Sequence, residues 1–234
     1  MLLMRGMYPL IACLGIVAAV VAMALGQIDA DQRLDVLGST IGEYAMAERG
    51  GATAFAMFSL GVAAIALLAG LRTAGAPVRG APERLIGAWG GVMLVVAPVS
   101  LTLDGWIGEA NRVVPIMSVM SFAVLPAAAG LLVSRFDGDE RWRVLARPVE
   151  WLALAGGFGL LAAVYVALPG GGVMIGLAER AMLGVQVAFL GLLAVRLAAL
   201  STTGRRVAAT LRTAYDTTIT RADLADSRRR TILS

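Results

Sequence analysis

Residues 52–71 read ATAFAMFSLGVAAIALLAGL and contain no charged side chain. The run is long enough to cross a bilayer as a helix, since a hydrocarbon core of about 30 Å needs about 20 apolar residues. Its apolar residues do not alternate with polar ones, as they would in a membrane β-strand. The stretch therefore predicts a membrane-spanning helix.

Five further runs of this kind lie near residues 7–26, 85–104, 113–134, 149–168 and 176–200. The chain is 59% hydrophobic and 15% charged, with a mean hydropathy of +0.80, which is outside the usual range of soluble domains. The first run is longer than the apolar core of a signal peptide, so we expect it to be retained. The sequence predicts an all-α polytopic membrane protein: a six-transmembrane-helix bundle over residues 1–200 and a basic tail over 201–234.

The basic residues predict the orientation of the bundle, because arginines near membrane spans stay on the cytoplasmic side. All 20 basic residues are arginines. With both termini in the cytoplasm, only Arg33, Arg49, Arg112 and Arg180 face outward. The net charge of +4 is explained by this topology, and we expect no nucleic-acid partner. We predict a multi-pass protein of the bacterial cytoplasmic (inner) membrane.

Missing residue types exclude several classes of activity. The chain has no histidine, which removes the usual haem ligand, the usual zinc ligand and the commonest general base. Without lysine there is no Schiff base for retinal or pyridoxal phosphate. We predict no cofactor, no metal site and no catalytic residue. Any catalysis would have to use Asp, Glu, Tyr or Arg.

The segment TIGEYAMAERGG, residues 40–51, places charged residues between the first two apolar runs. Thr40 and Glu43 have the spacing of a capping box, which predicts a short helix. The alternative is functional: Glu43 and Tyr44 come just before the second span, where a carboxylate at the bilayer edge could act as an acid or base. Both interpretations stay open at the level of sequence.

Other polar residues are predicted at the same outer level of the bilayer. Polar side chains near membrane depth are functional candidates, although salt bridges between helices would explain them equally well. The outer polar cluster, as we call this candidate binding site, consists of Glu43, Tyr44, Asp104, Glu109, Arg112, Glu179 and Arg180.

The spans also carry features that concern helix packing. Pro98 and Pro126 each remove a backbone hydrogen bond in mid-span, and kinked helices of this kind either line a cavity or simply pack. We expect Gln186 to form a hydrogen bond across the bundle and Arg196 to reach the inner interface. Small residues spaced by four predict close helix contacts, at Gly87 with Gly91, Ala153 with Gly157, and Ala155 with Gly159 and Ala163. Trp89, Trp142 and Trp151 fit an interfacial aromatic belt.

Two stretches, STIGEYAMAERGGATAF at residues 39–55 and GLAERAMLGVQVAFLGLLAVRL at 176–197, resemble the bacterial membrane family catalogued as domain of unknown function 998. The likeness extends over residues 7 to about 200. It implies a six-helix bundle with its motifs facing outward and assigns no activity. Gly42 stands where the family usually has serine, and Asn111 and Arg112 stand where many members have a histidine.

Three functions are compatible with these features. The first is a non-catalytic accessory or structural subunit, or a lipid-binding bundle, with membrane lipids as partners and another membrane protein or a second copy as further partners. The second is a lipid-directed enzyme or lipid carrier that uses the outer polar cluster. The third and weakest is a small transporter, because the central halves of the spans carry no ionisable group apart from Cys13.

Overall fold

The computed structural model describes residues 2–28, 51–102, 107–167 and 176–202. These residues form six long helices, and no strand occurs among them. The helices are α1 (Leu2–Ile28), α2 (Gly51–Thr73), α3 (Ala81–Thr102), α4 (Ile107–Asp137), α5 (Ala146–Ala167) and α6 (Gly176–Thr202). A 3-10 turn, Arg143–Leu145, leads into α5. The all-α class is confirmed.

Four stretches are long and apolar enough to cross a membrane, by length and composition. They are Met7–Gly26 in α1, Gly51–Thr73, Arg143–Val166 and Gly176–Thr202. Each coincides with a predicted span to within a few residues. The chain is therefore an all-α protein with several candidate membrane spans.

Helix α2 is the most enclosed of these spans, with 61% of its apolar window buried. It packs against α1 on one side and α3 on the other. At Gly61 an added Cβ would lie 2.9 Å from the carbonyl oxygen of Gly90, so the absence of a side chain is what allows α2 and α3 to approach. A Cβ added at Gly70 would likewise be too close to Tyr8 of α1 and Leu197 of α6, so the absence of a side chain also allows these helices to approach α2. Helix α2 thus forms the centre of the bundle.

The small-residue pairs predicted to mediate packing are confirmed only in part. A Cβ on Gly159 would lie 3.0 Å from the Met182 side chain, which marks a close contact between α5 and α6. A Cβ on Gly91 or on Gly157 would have nothing within 4 Å among the described residues. A close contact between α4 and α5 is instead made by Pro126 against Gly156. The spacing of small residues identifies candidate contact positions. Which of these positions pack against a neighbouring helix depends on how each helix is rotated about its axis.

Arginines join the loops at one end of the bundle, which we call the arginine-rich end. Arg72 pairs with Glu83 across the α2–α3 loop. Arg135, at the end of α4, donates to the carbonyl of Arg79 in that loop, and Arg196 of α6 donates to the carbonyl of Arg141 in the α4–α5 loop. The two loops and this part of α6 therefore lie at the same end. The expected position of Arg196 at the inner membrane interface stays a prediction.

Two of the three tryptophans assigned to an interfacial belt are in fact buried. Trp89 is 1% exposed and Trp142 is 0% exposed, whereas Trp151 is 68% exposed. Trp142, in the α4–α5 loop, stacks on Phe136 of α4 with ring centroids 5.6 Å apart. The ring of Trp142 therefore faces the protein interior. The belt interpretation is wrong for Trp89 and Trp142, because a belt residue presents its ring to lipid headgroups.

The described residues up to Leu197 form one compact unit, and Ala198 begins a second. Of the second unit, residues 198–202 are described, and they continue α6. There the Thr202 hydroxyl donates to the Ala199 carbonyl at 2.9 Å. The predicted tail beyond residue 202 lies outside the described residues, as does the predicted capping box at Thr40 and Glu43.

Candidate functional site

The outer polar cluster falls mostly on residues that the structure does not describe. Glu43, Tyr44 and Asp104 lie outside the described residues. Glu109 and Arg112 belong to the backbone of α4, and their side chains are not described. Glu179 and Arg180 are described in α6, where Glu179 is 9% exposed and Arg180 is half-buried, and both have interaction partners. The convergence of the seven residues stays a prediction.

A cleft between the helices is the main candidate site among the described residues. It spans about 530 Å³ of space not filled by protein atoms, part of which is open to the surroundings. Five helices contribute to its wall, and apart from two polar residues all the lining side chains are apolar. The Gln186 cleft, as we call it, is lined by Met23, Met57, Leu60, Val92, Met93, Val96, Ser121, Phe122, Leu183 and Gln186.

The wall of the cleft has a buried part and a partly exposed rim. Leu60, Met93 and Val96 are at most 8% exposed, whereas Met23 and Leu183 are partly exposed. Three of the ten lining residues are methionines, whose unbranched side chains adapt to ligands of different shape. The cleft is therefore suited to an apolar molecule, and its partly exposed rim leaves the cleft open on one side.

Gln186 is the polar centre of this cleft. Its side chain is 2% exposed, and its Nε2 donates a hydrogen bond of 3.1 Å to the backbone carbonyl of Ser121 in α4. The next carbonyl, that of Phe122, is the one that loses its helical donor because Pro126 has no N–H. The predicted hydrogen bond of Gln186 across the bundle is confirmed. Of the two alternatives left open for Pro126, cavity lining and packing, the structure shows both, since Pro126 lines a cavity and also packs against Gly156.

Gln186 also lines a second, smaller cavity between α4, α5 and α6. This cavity has about 170 Å³ of empty space, and Pro126 and Phe189 are among its lining residues. The hydrogen bond from Gln186 to Ser121 thus connects α6 to α4 at the point where the two cavities adjoin.

The depth of Gln186 follows from helix geometry. At 1.5 Å rise per residue, Gln186 lies about 15 Å along α6 from Arg196 at the arginine-rich end. Half of a hydrocarbon core is also about 15 Å, so Gln186 would lie near the bilayer centre if Arg196 marks one interface. Glu179 lies about 10 Å beyond Gln186, two turns further from the arginine-rich end. Glu179, Leu183 and Gln186 share one face of α6, because their spacing is four and three residues.

The chemistry available in the cleft is binding by packing and by two polar side chains, the Gln186 amide and the Ser121 hydroxyl. None of its lining residues is ionisable. Among the described residues there is also no group of three His, Cys, Asp or Glu side chains that could hold a metal ion. The sequence had drawn attention to Gln186, Ser121 and Pro126. It gave no signal for Met23 or Met57, which are apolar residues in apolar runs.

The sequence was compared with protein families, curated proteins and solved structures. Residues 13–196 match the profile of the family described as "Protein of unknown function (DUF998)". The chain belongs to this DUF998 family. The resemblance inferred from the two motifs is thereby confirmed. No match was found among curated proteins or among solved structures.

The matched region of DUF998 contains the whole candidate site. It begins at Cys13 in α1 and ends at Arg196 in α6, so every residue that lines the Gln186 cleft lies within it. The basic residues beyond 202 lie outside it. The cleft is therefore part of the DUF998 domain itself.

Proposed function

We propose that this DUF998 protein crosses the bacterial cytoplasmic membrane six times, with both termini in the cytoplasm. Helices α3 and α4 are not counted among the four candidate spans, but each coincides with an uncharged run. These runs are residues 85–103 and 113–134. The contacts of Arg135 with Arg79 and of Arg196 with Arg141 gather basic residues at one end. The positive-inside rule assigns that end to the cytoplasm.

We further propose that the bundle is a non-catalytic lipid-binding protein and that the Gln186 cleft holds the hydrocarbon chain of its ligand. The observation that carries this proposal is a largely apolar cleft, spanning about 530 Å³ with its open part included, that has one buried amide on its wall. Small-molecule sites commonly have this form: a concave apolar surface with a few polar groups that orient the ligand.

The hydrophobic effect alone would contribute little to the binding of a lipid chain in the cleft. A lipid chain is as apolar in the bilayer as in the protein, so association inside a membrane depends on packing and hydrogen bonds. Met57 and Met93 supply adaptable packing, and Phe122 with Met182 forms a cluster of buried side chains at the wall. The bundle would therefore select a chain by shape and by its fit to Gln186.

The test is to fill the cleft and measure co-purifying lipid. Val96 lines the cleft and is 8% exposed, whereas its neighbour Val95 is 59% exposed on the other side of α3. We would purify the wild type, Val96→Phe and the matched control Val95→Phe in mild detergent and record native mass spectra. We expect a lipid retained by the wild type and Val95→Phe and largely lost from Val96→Phe. Equal lipid on all three proteins would contradict the proposal.

A specific observation favours a second candidate function, that of an accessory or structural subunit. Helix α5 presents a stripe of large exposed side chains at alternating spacings of three and four residues: Trp151, Leu154, Phe158, Leu161 and Tyr165. This is the spacing of a seam between two packed helices. Only 11% of the Arg143–Val166 window is buried within the chain, so the stripe is accessible to a helix of another subunit or of a second copy.

The subunit hypothesis is tested by the mass of the purified complex. The double variant Phe158→Ala with Leu161→Ala removes the centre of the stripe. Leu14→Ala with Val17→Ala serves as the control, because both of these α1 residues are 59% exposed. Loss of a bound protein or of a dimer in the first variant alone would support the hypothesis. A monomeric wild type without a bound protein would reject it.

A further inference from the structure

The hydrogen-bonding capacity of Gln186 is only partly used within the chain. A glutamine amide has two N–H donors and a carbonyl oxygen with two lone pairs. Among the described residues, Gln186 makes one hydrogen bond, from Nε2 to the Ser121 carbonyl. That partner is an acceptor, so the amide orientation is fixed: the nitrogen faces α4. The carbonyl oxygen and one N–H remain for another partner.

Leaving these groups unmatched is unfavourable at this depth. Gln186 is 2% exposed and lies about 15 Å along α6 from Arg196, which corresponds to the middle of a bilayer about 30 Å thick. The bilayer centre offers little water to hydrogen-bond a polar group. A ligand that brings a polar atom to Gln186 would therefore be favoured over one that does not.

An ordinary phospholipid does not meet this requirement. Its ester and phosphate groups stay at the membrane interface, about 15 Å from the bilayer centre where Gln186 would lie. Its hydrocarbon chain would pass Gln186 without offering any hydrogen-bonding atom. Apart from Ser121, the other residues of the cleft, such as Leu60, Val96 and Leu183, are apolar and offer none either.

We propose that the Gln186 cleft selects a lipophilic molecule that carries a hydroxyl or carbonyl group midway along its hydrocarbon chain, with this group bonded to the Gln186 amide. The inference rests on the proposed function, the binding of a hydrocarbon chain in the cleft, and adds the chemical class of the ligand. A hydroxyl would donate to the Gln186 carbonyl oxygen, and a carbonyl would accept from the remaining N–H.

The test compares three fatty acids that differ only in a hydroxyl group. The probes are stearate, stearate hydroxylated on the carbon next to the carboxyl group, and stearate hydroxylated near the middle of the chain. Binding to the purified full-length protein is measured by titration in native mass spectrometry. We expect the mid-chain hydroxystearate to bind about tenfold more tightly than the other two, the effect of one hydrogen bond in a buried site.

Two variants separate the possible outcomes. In Gln186→Leu we expect the three probes to bind equally, because the amide is gone while the apolar wall remains. In Val96→Phe we expect all three to bind weakly. If the wild type binds the three probes equally and Val96→Phe removes them, the ligand class is wrong while chain binding in the cleft stands. If none of the probes binds the wild type, both proposals fail. The wild-type comparison is decisive even if Gln186→Leu does not fold.

Discussion

Gln186 of α6 and Ser121 of α4 are joined by a hydrogen bond of 3.1 Å from the side-chain amide to the backbone carbonyl. The two bonded residues are 65 positions apart in sequence, and the bond links their helices beside a turn of α4 that contains a proline. It orients the amide of the candidate site. Its loss should therefore affect both the stability of the bundle and the properties of the cleft.

We expect Gln186→Leu to lower the free energy of unfolding by about 1 kcal/mol, the usual contribution of a hydrogen bond between membrane helices. The loss is small because the Ser121 carbonyl also belongs to a helix. Thermal unfolding in detergent measures it, with Val195→Leu as the control at a site that is 64% exposed on the same helix. An unchanged melting temperature in Gln186→Leu would mean that the bond adds nothing to stability.

The close approach of α2 and α3 predicts a strong effect at Gly61. An alanine there would place its Cβ 2.9 Å from the Gly90 carbonyl oxygen, so the two helices must separate. We expect Gly61→Ala to destabilise the protein by about 1–3 kcal/mol, as overpacking does. In the control Gly91→Ala, the added Cβ meets nothing within 4 Å among the described residues, and we expect no loss. Equal melting temperatures for the two variants would contradict this packing.

The turn after α2 predicts a backbone effect at Gly75. Its φ is +72°, and it ends the helix with hydrogen bonds from Gly75 N to the Arg72 carbonyl and from Ala76 N to the Leu71 carbonyl. An alanine in this conformation costs about 1 kcal/mol. We expect Gly75→Ala to lower the unfolding temperature, whereas Gly138→Ala, at a turn glycine without a positive φ, should not. The opposite order would contradict the role of Gly75.

The proposed orientation predicts which loops react with an impermeant thiol reagent. In a Cys13→Ala background, Glu140→Cys in the exposed α4–α5 loop should react in inverted membrane vesicles and not in intact cells. Ser39→Cys, placed by sequence in the first outer loop, should show the reverse pattern. Labelling of both positions from the same side would reject the six-span topology.

The helices themselves could be predicted from sequence because a membrane span needs only a long, largely apolar run. The predicted runs at 7–26, 52–71, 149–168 and 176–200 all coincide with helices of the structure. Gln186 was also correctly expected to bond across the bundle, since a lone amide in an apolar helix must find a partner inside. The convergence of the outer polar cluster stays a prediction, because most of its side chains are not described.

Helix faces could not be predicted in the same way. Inside a membrane the residues that face lipid are as apolar as those that face another helix, so the sequence has no hydropathy contrast to distinguish them. Gly91, Gly157 and Gly159 had the spacing of contact residues, yet of these only Gly159 makes a close contact, while Gly61 and Gly156 make close contacts that the spacing did not indicate. Trp142 fitted an interfacial belt by its position, yet it is buried against Phe136.

The sequence alone thus determined the all-α class, the family, the apolar helices and the isolation of Gln186 as a polar residue among them. Only the tertiary structure determined that α2 lies at the centre, that α1 and α5 present exposed faces, and that five helices enclose a cleft around Gln186. The physical reason is that length and charge are local properties of the chain. A cavity depends instead on how the helices rotate and pack against each other.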